Sequence, residues 1–400
     1  MPTEENCMSG VIPGCEVLIE RNPDWLRRAR LGILANQASV DRGYVSVCDA
    51  IGKAGGRIRC LFSPQHGFHA DRQANMIESS DGWDTDLSVP VFSLYSDVRR
   101  PSREMLDQID VLVVDLQDVG TRVYTYGTTV GLCLEAAEGS DLKVVILDRP
   151  NPINGVHTEG NVLARGYESF VGRYRIPMRH GLTLGELARL AALEKRLDID
   201  LEIVAMDGWR REAFYPETGL PWVFPSPNMP TWETALVYPG MVLLEGTNVS
   251  EGRGTTLPFQ LFGAPFLDQR AFGALLDAAA LPGAVFRPVH FEPVFDKWKG
   301  ELCSGFQIHV TDRWIFRPYL TGLTVLRAFL ALHPAEFTWL PPPYEYEFEK
   351  LPIDILLGDG RIREALEAGV DVREIEWSWK EGLEDFESLR KELWIYPERS

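Results

Sequence analysis

The sequence predicts an α/β protein whose first part is a mostly parallel, Rossmann-like sheet and whose second part is a further α/β unit. Short apolar runs at 30–35, 57–62, 89–94, 110–116 and 143–148 are continuous rather than alternating, as in strands covered on both faces. Between them, 44–53 and 128–138 read as crossover helices, which completes a βαβ rhythm. The chain has 400 residues, 45% hydrophobic and 24% charged, which is enough material for two cores.

Taken in order, the sheet strands lead to the turn RPNPINGVHTEG at 149–160. It is dense in Pro, Asn and Gly and places the first domain at 1–160 and the second at 161–400. Beyond it, 183–197 is an amphipathic helix with Thr183 as N-cap and Glu186 as its capping-box partner. A strand is expected at 201–206. The stretch 215–256 reads as a long loop, and long ordered loops are usually functional. A strand at 305–311 and helices at 320–332, 359–369 and 383–393 follow.

Composition narrows the function. With 40 Lys+Arg against 58 Asp+Glu the net charge is -18, which argues against a nucleic-acid or anionic-membrane partner. The cysteines Cys7, Cys15, Cys48, Cys60, Cys133 and Cys303 form no CxxC pair, so neither a disulfide framework nor a zinc site is suggested. No GxGxxG opens a helix, and dinucleotide binding is not supported. The start of the chain has no signal-peptide pattern, and no 18-residue uncharged apolar span occurs; a cytoplasmic protein is expected, although a trimmed secreted one would read the same.

Four clusters could carry chemistry. The stretch LFSPQHGFHADRQANMIES at 61–79 sets Gln65, His66, His69, Asp71, Asn75 and Glu78 beyond a strand end, where open sheets place ligands. After the most apolar strand, DLQDVGTRVYTY presents Asp118, Arg122, Tyr124 and Tyr126; Arg122 either grips a carboxylate or pairs with an Asp in a turn. Asp148, Arg149 and Asn151 follow the next strand, as pocket groups or as turn caps. In EGTNVSEGRGT, Glu245, Asn248, Glu251 and Arg253 offer two carboxylates for acid or base work, or an internal Glu–Arg pair. His66 and His69 lack a locally fixed third ligand, so a hydrogen-bonding role outweighs a metal. His180 is either a pocket group or a loop histidine.

The ordered motifs GILANQASV, PQHGF, VPVFSLY, DLQDVGTRVYTY, LDRPNPING, PMRHGLTLGELA, PSPNMPT and EGTNVSEGRGTTLPF resemble the NamZ-like exo-β-N-acetylmuramidases, glycoside hydrolases that remove terminal N-acetylmuramic acid from peptidoglycan fragments. The resemblance spans most of the chain. It implies a Rossmann-like N-terminal domain, a smaller C-terminal domain, a catalytic cleft between them, and no metal or nucleotide cofactor. It implies a muramic-acid-containing saccharide as partner and leaves room for a homodimer.

Carried over by residue, Arg122 would bind the lactyl carboxylate, and Tyr124 and His66 would orient the sugar. Gln65, Tyr126, Asp148, Arg149, Asn151, His180, Asn228, Asn248 and Arg253 would complete the binding wall. The family's PEHG has a glutamate where this chain has Gln65, and an amide cannot exchange the proton that glycosidic cleavage requires. The acid is then Glu78, Glu245 or Glu251, with Asp118 a further candidate carboxyl; or the chain binds muramic-acid saccharides without cleaving them.

Overall fold

A computed structural model describes residues 10–73 and 76–397; Asn75 lies outside the described residues. Seven strands form one sheet: β1 (Arg30–Ala35), β2 (Arg57–Ser63), β3 (Gly82–Asp84), β4 (Val89–Ser93), β5 (Val111–Asp115), β6 (Lys143–Leu147) and β7 (Asp200–Val204). Their order is β3-β4-β2-β1-β5-β6-β7, with every neighbour parallel except the β3–β4 edge. The apolar runs are continuous because both faces are covered. Along β5, Leu112 and Val114 enter one core while Val111 and Val113 enter the other.

The chain first winds outward from β1 through β2, then returns to pair β5 on β1's other side. This reversal makes a topological switch point, and the strand ends around it open a crevice. The helix Tyr126–Ala137 follows β5, so its first turn stands at that crevice.

Past β6, the predicted capping box forms: Thr183 N–H donates to Glu186 Oε2 at 3.0 Å, and Glu186 N–H donates to Thr183 Oγ1 at 3.3 Å, opening the helix Leu184–Lys195. The chain then returns to the large sheet as β7. The sheet layer therefore continues beyond residue 160, because the Pro- and Asn-rich turn opens a long crossover rather than a linker.

The second unit carries an antiparallel sheet, β8 (Leu261–Ala264), β10 (Cys303–Val310) and β9 (Ala284–Phe291), in the order β8-β10-β9. Its aromatic core of Phe262, Phe272, Phe306 and Phe329 is continuous with the core on one face of the large sheet. The expected long loop at 215–256 contains the helix Trp232–Met241, all but its first two residues buried. The glycine there serves packing: a Cβ on Gly240 would stand 1.8 Å from the Pro318 carbonyl oxygen, and Gly322 faces Gly240 across the helix Pro318–Leu332. Among the described residues no helix is long and apolar enough to cross a membrane.

Candidate active site

At the switch point, the first turns after β2 and β5 meet three segments of the second unit. Gln65 and His66 come from the β2 end, and Tyr124, Thr125 and Tyr126 from the β5 end. Tyr238, Glu245 and Arg253 close the far side, and Tyr344 and Glu345 reach in from the connection before the helix Pro352–Leu357. Ser226 and Asn228 of PSPNMPT complete the lining. The interior is about 30 Å3, room for one or two waters.

The polar contacts inside form two linked groups. Thr125 Oγ1 donates to Gln65 Oε1 at 2.7 Å, and Gln65 Nε2 donates to Glu345 Oε1 at 3.0 Å. Tyr95 O–H donates to Glu345 Oε2 at 2.7 Å. Across the cavity, Glu245 accepts from Arg253 Nη2 and from Tyr344 O–H, both at 2.6 Å. Aromatic edges support this wall: Tyr124 meets Tyr126 at 4.7 Å and Tyr238 meets Phe259 at 4.8 Å, centroid to centroid.

The two carboxyls are shifted in opposite directions. Burial pushes Glu345 up, the Glu245 charge adds to that, and the Tyr95 and Gln65 hydrogen bonds only partly oppose it, leaving its pKa at about 7. Burial also pushes Glu245 up, but the Arg253 charge and the Tyr344 and Arg253 hydrogen bonds outweigh it and leave it below the usual carboxylate value. Environments that drive a neighbouring carboxyl pair apart are how acid and base roles are divided. His66 is neutral: desolvation lowers it to about 4. Its Nδ1–H then donates to the Arg72 carbonyl at 2.7 Å, which leaves Nε2 as an acceptor.

Glu345 reaches the pocket on a hairpin tip. Tyr344 and Glu347 exchange backbone hydrogen bonds at 2.9 Å, and the two residues between them, Glu345 and Tyr346, both have positive φ, 45° and 69°. Such a two-residue tip favours Asn-Gly, and placing Glu and Tyr there costs about 1–3 kcal/mol each. The tip is held at its rim, where the Arg99 guanidinium lies over the Tyr346 ring and Tyr346 O–H donates to Glu78 Oε1 at 3.2 Å.

Several expected site residues serve the scaffold instead. Arg122 is buried and donates to the carbonyls of Asn161, Ile176, Leu356 and Leu357, so no N–H of its Nη atoms is turned to a carboxylate ligand. Arg149 forms a two-pronged pair with Asp115 and also donates to the Val40 carbonyl at 2.8 Å. Asp148 accepts from Thr183 O–H, Gly185 N–H and Tyr396 O–H, which anchors a helix start and the chain's end. Asn151 donates to the Leu182 carbonyl, and Asn248 ties 336 to 338.

The remaining candidate carboxyls are also placed. Glu251 is buried between Arg253 Nε, 3.1 Å, and Lys297 Nζ, 2.9 Å, as their counter-charge. Glu78 is half exposed on the rim beside Arg99, outside the pocket lining. Asp118 accepts from Gly120 N–H at 2.7 Å and lies 3.5 Å from His180 Nε2, a buried pair behind the tyrosines. His69 and Asp71 face solvent. Sequence reading missed Tyr238, Tyr344 and Glu345 altogether, and Asn36, Tyr95 and Thr125 except as parts of motifs; Asn36 Nδ2 donates to Tyr126 Oη at 2.7 Å. Among the described residues no cluster of three or more His, Cys, Asp or Glu could hold a metal ion.

Paired carboxyls with divergent proton affinity, set among tyrosines and amides at the carboxyl edge of a parallel sheet, are the groups that glycoside hydrolysis uses. Residues 31–233 match the N-terminal domain, and 236–396 the C-terminal domain, of the exo-beta-N-acetylmuramidase NamZ family. The chain belongs to that family. It is 42% identical over 384 residues to the peptidoglycan beta-N-acetylmuramidase NamZ of Bacillus subtilis (strain 168), covering 96% of this chain and 91% of that protein. Two crystal structures of DUF1343 family proteins from Bacteroides fragilis NCTC 9343 share the fold. The one at 1.65 Å resolution superposes with a TM-score of 0.87 at 34% identity, over 97% of this chain and 99% of that one; the one at 1.30 Å gives 0.77 at 28%, over 98% and 100%.

Proposed function

We propose that this protein is an exo-acting glycosidase that releases terminal N-acetylmuramic acid, or a related amino sugar, from peptidoglycan-derived saccharides. The observation that carries the reading is the carboxyl pair Glu245 and Glu345 facing one cavity, one held charged and the other able to keep a proton near neutral pH. Family membership supplies the substrate class. The hydroxyl-rich lining of Tyr124, Tyr126, Ser226 and Tyr238 and the amide of Asn228 suit a sugar.

A chromogenic N-acetylmuramoside tests the reading: release of chromophore and of free N-acetylmuramic acid is expected, and no release anywhere between about pH 4 and pH 9 contradicts it. A second reading, a binding protein that does not cleave, is favoured by the amide at Gln65. It predicts saccharide binding that survives Glu245→Gln without turnover in the native protein, and measurable turnover removes it.

A further inference from the structure

We propose that Glu345, delivered by the hairpin tip of the second unit, is the proton donor of this enzyme, and that Gln65 is its positioning residue. The inference rests on the glycosidase reading above and adds to it the identity of the acid.

Gln65 ends the β2 turn, and its carboxamide has no proton to give. Its two amide atoms are instead bound in series, Oε1 by Thr125 and Nε2 to the Glu345 carboxyl. A carboxyl thus sits 3.0 Å from the Gln65 side chain, brought there from 280 residues away. It is 3% exposed and lines the same cavity as Glu245.

Glu345 is hydrogen-bonded only to neutral groups, whereas the other candidate carboxyls are ion-paired or outside the pocket lining. Glu245 accepts from a guanidinium and a phenol, Glu251 lies between two cations, and Glu78 is on the rim. A neutral residue at position 65 also suits a protonated neighbour, because a second carboxylate at 3 Å would compete for the same proton.

In the step itself, the glycosidic C–O bond breaks with its electron pair on the leaving oxygen, which takes the Glu345 proton. Water adds its hydroxyl to the anomeric carbon, and the proton it sheds restores the Glu345 acid. Glu245, charged, faces the positive charge that develops on the sugar.

The test compares leaving groups. Glu345→Gln is expected to lower kcat/KM by about 10²- to 10⁴-fold on a muramic-acid disaccharide, whose leaving oxygen must be protonated, and by less than about tenfold on a 2,4-dinitrophenyl muramoside, whose leaving group needs no proton. Equal losses on both substrates, or no loss on either, overturn the assignment. Tyr95→Phe provides a second variant that keeps the carboxyl. Removing that hydrogen bond from the charged form is expected to move the alkaline limb of the kcat/KM profile to higher pH, and an unmoved limb overturns the assignment. If the native protein cleaves neither substrate, the glycosidase reading fails and takes this one with it. If the native protein cleaves both and the variants behave like it, only the acid assignment fails.

Discussion

Two groups of buried charges lie at the carboxyl edge of the same sheet, and they do different work. Around Asp115, Asp148, Arg122 and Arg149, the carboxylate oxygens, both Arg122 Nη atoms and Arg149 Nη2 are bound to other parts of the fold. Around Gln65, Glu245 and Glu345, the hydrogen-bonded side chains line a cavity. Buried charge alone therefore does not mark a site. What separates the groups is whether the bonded side chains line a cavity.

Variants can break or sharpen this contrast. On the scaffold side, Arg149→Met leaves Asp115 buried without its partner and should cost about 3–5 kcal/mol of stability, read by denaturant melts. The kcat/KM of the molecules still folded should be unchanged, and a selective rise in KM would move Arg149 back to the pocket. Arg122→Met should behave likewise, through the buried carbonyls it leaves unbonded.

On the pocket side, Glu245→Gln should lower kcat about 10²- to 10³-fold while the fold persists, measured by steady-state kinetics beside a thermal melt.

A smaller effect concerns stability and pH. Because the folded pKa of Glu345 is raised above its unfolded value, the native state holds the proton more tightly. Stability should therefore fall as pH rises from the unfolded value towards about 7 and then level off. Glu345→Gln removes that loss and should stabilise the protein by about 1–3 kcal/mol above pH 7, with the gain vanishing below about pH 4. A variant that loses both activity and stability would make Glu345 a structural group. Smallest of all, Glu78→Gln should change kcat/KM less than about twofold, since its carboxylate is half exposed and touches only the rim.

Much of this fold is legible from residues alone, and the reasons are local. Strands β1, β2, β5 and β6 announce themselves because burial on both faces leaves no polar alternation, and the Thr183–Glu186 box because capping is a short-range affair. The helix Trp232–Met241 is hidden because its Pro239 and Gly240 look like loop signals, while their effect is to let another helix approach. Strand β9 is hidden by Pro288 and by its exposed alternate residues.

The site divides in the same way. Gln65, His66, Tyr124, Tyr126, Glu245 and Arg253 lie at strand ends or in a glycine-rich loop, where position alone suggests a ligand. Position could not say that the Arg122 Nη atoms and the Asp148 oxygens are already bonded, because their partners are distant in sequence. Glu345 lies in PPPYEYEFEK, which reads as a polar connection. Its significance depends on Gln65 and Tyr95, at least 250 residues away, and on a positive φ that no residue type there announces.

The central claim is that Glu345 keeps its proton near neutral pH while facing a charged Glu245. An infrared titration of the native protein against Glu345→Gln reads it directly, through the carbonyl stretch of the protonated acid. A difference band that persists up to about pH 7 is the predicted result. A band that disappears with the ordinary carboxyls, near pH 4, would contradict the account.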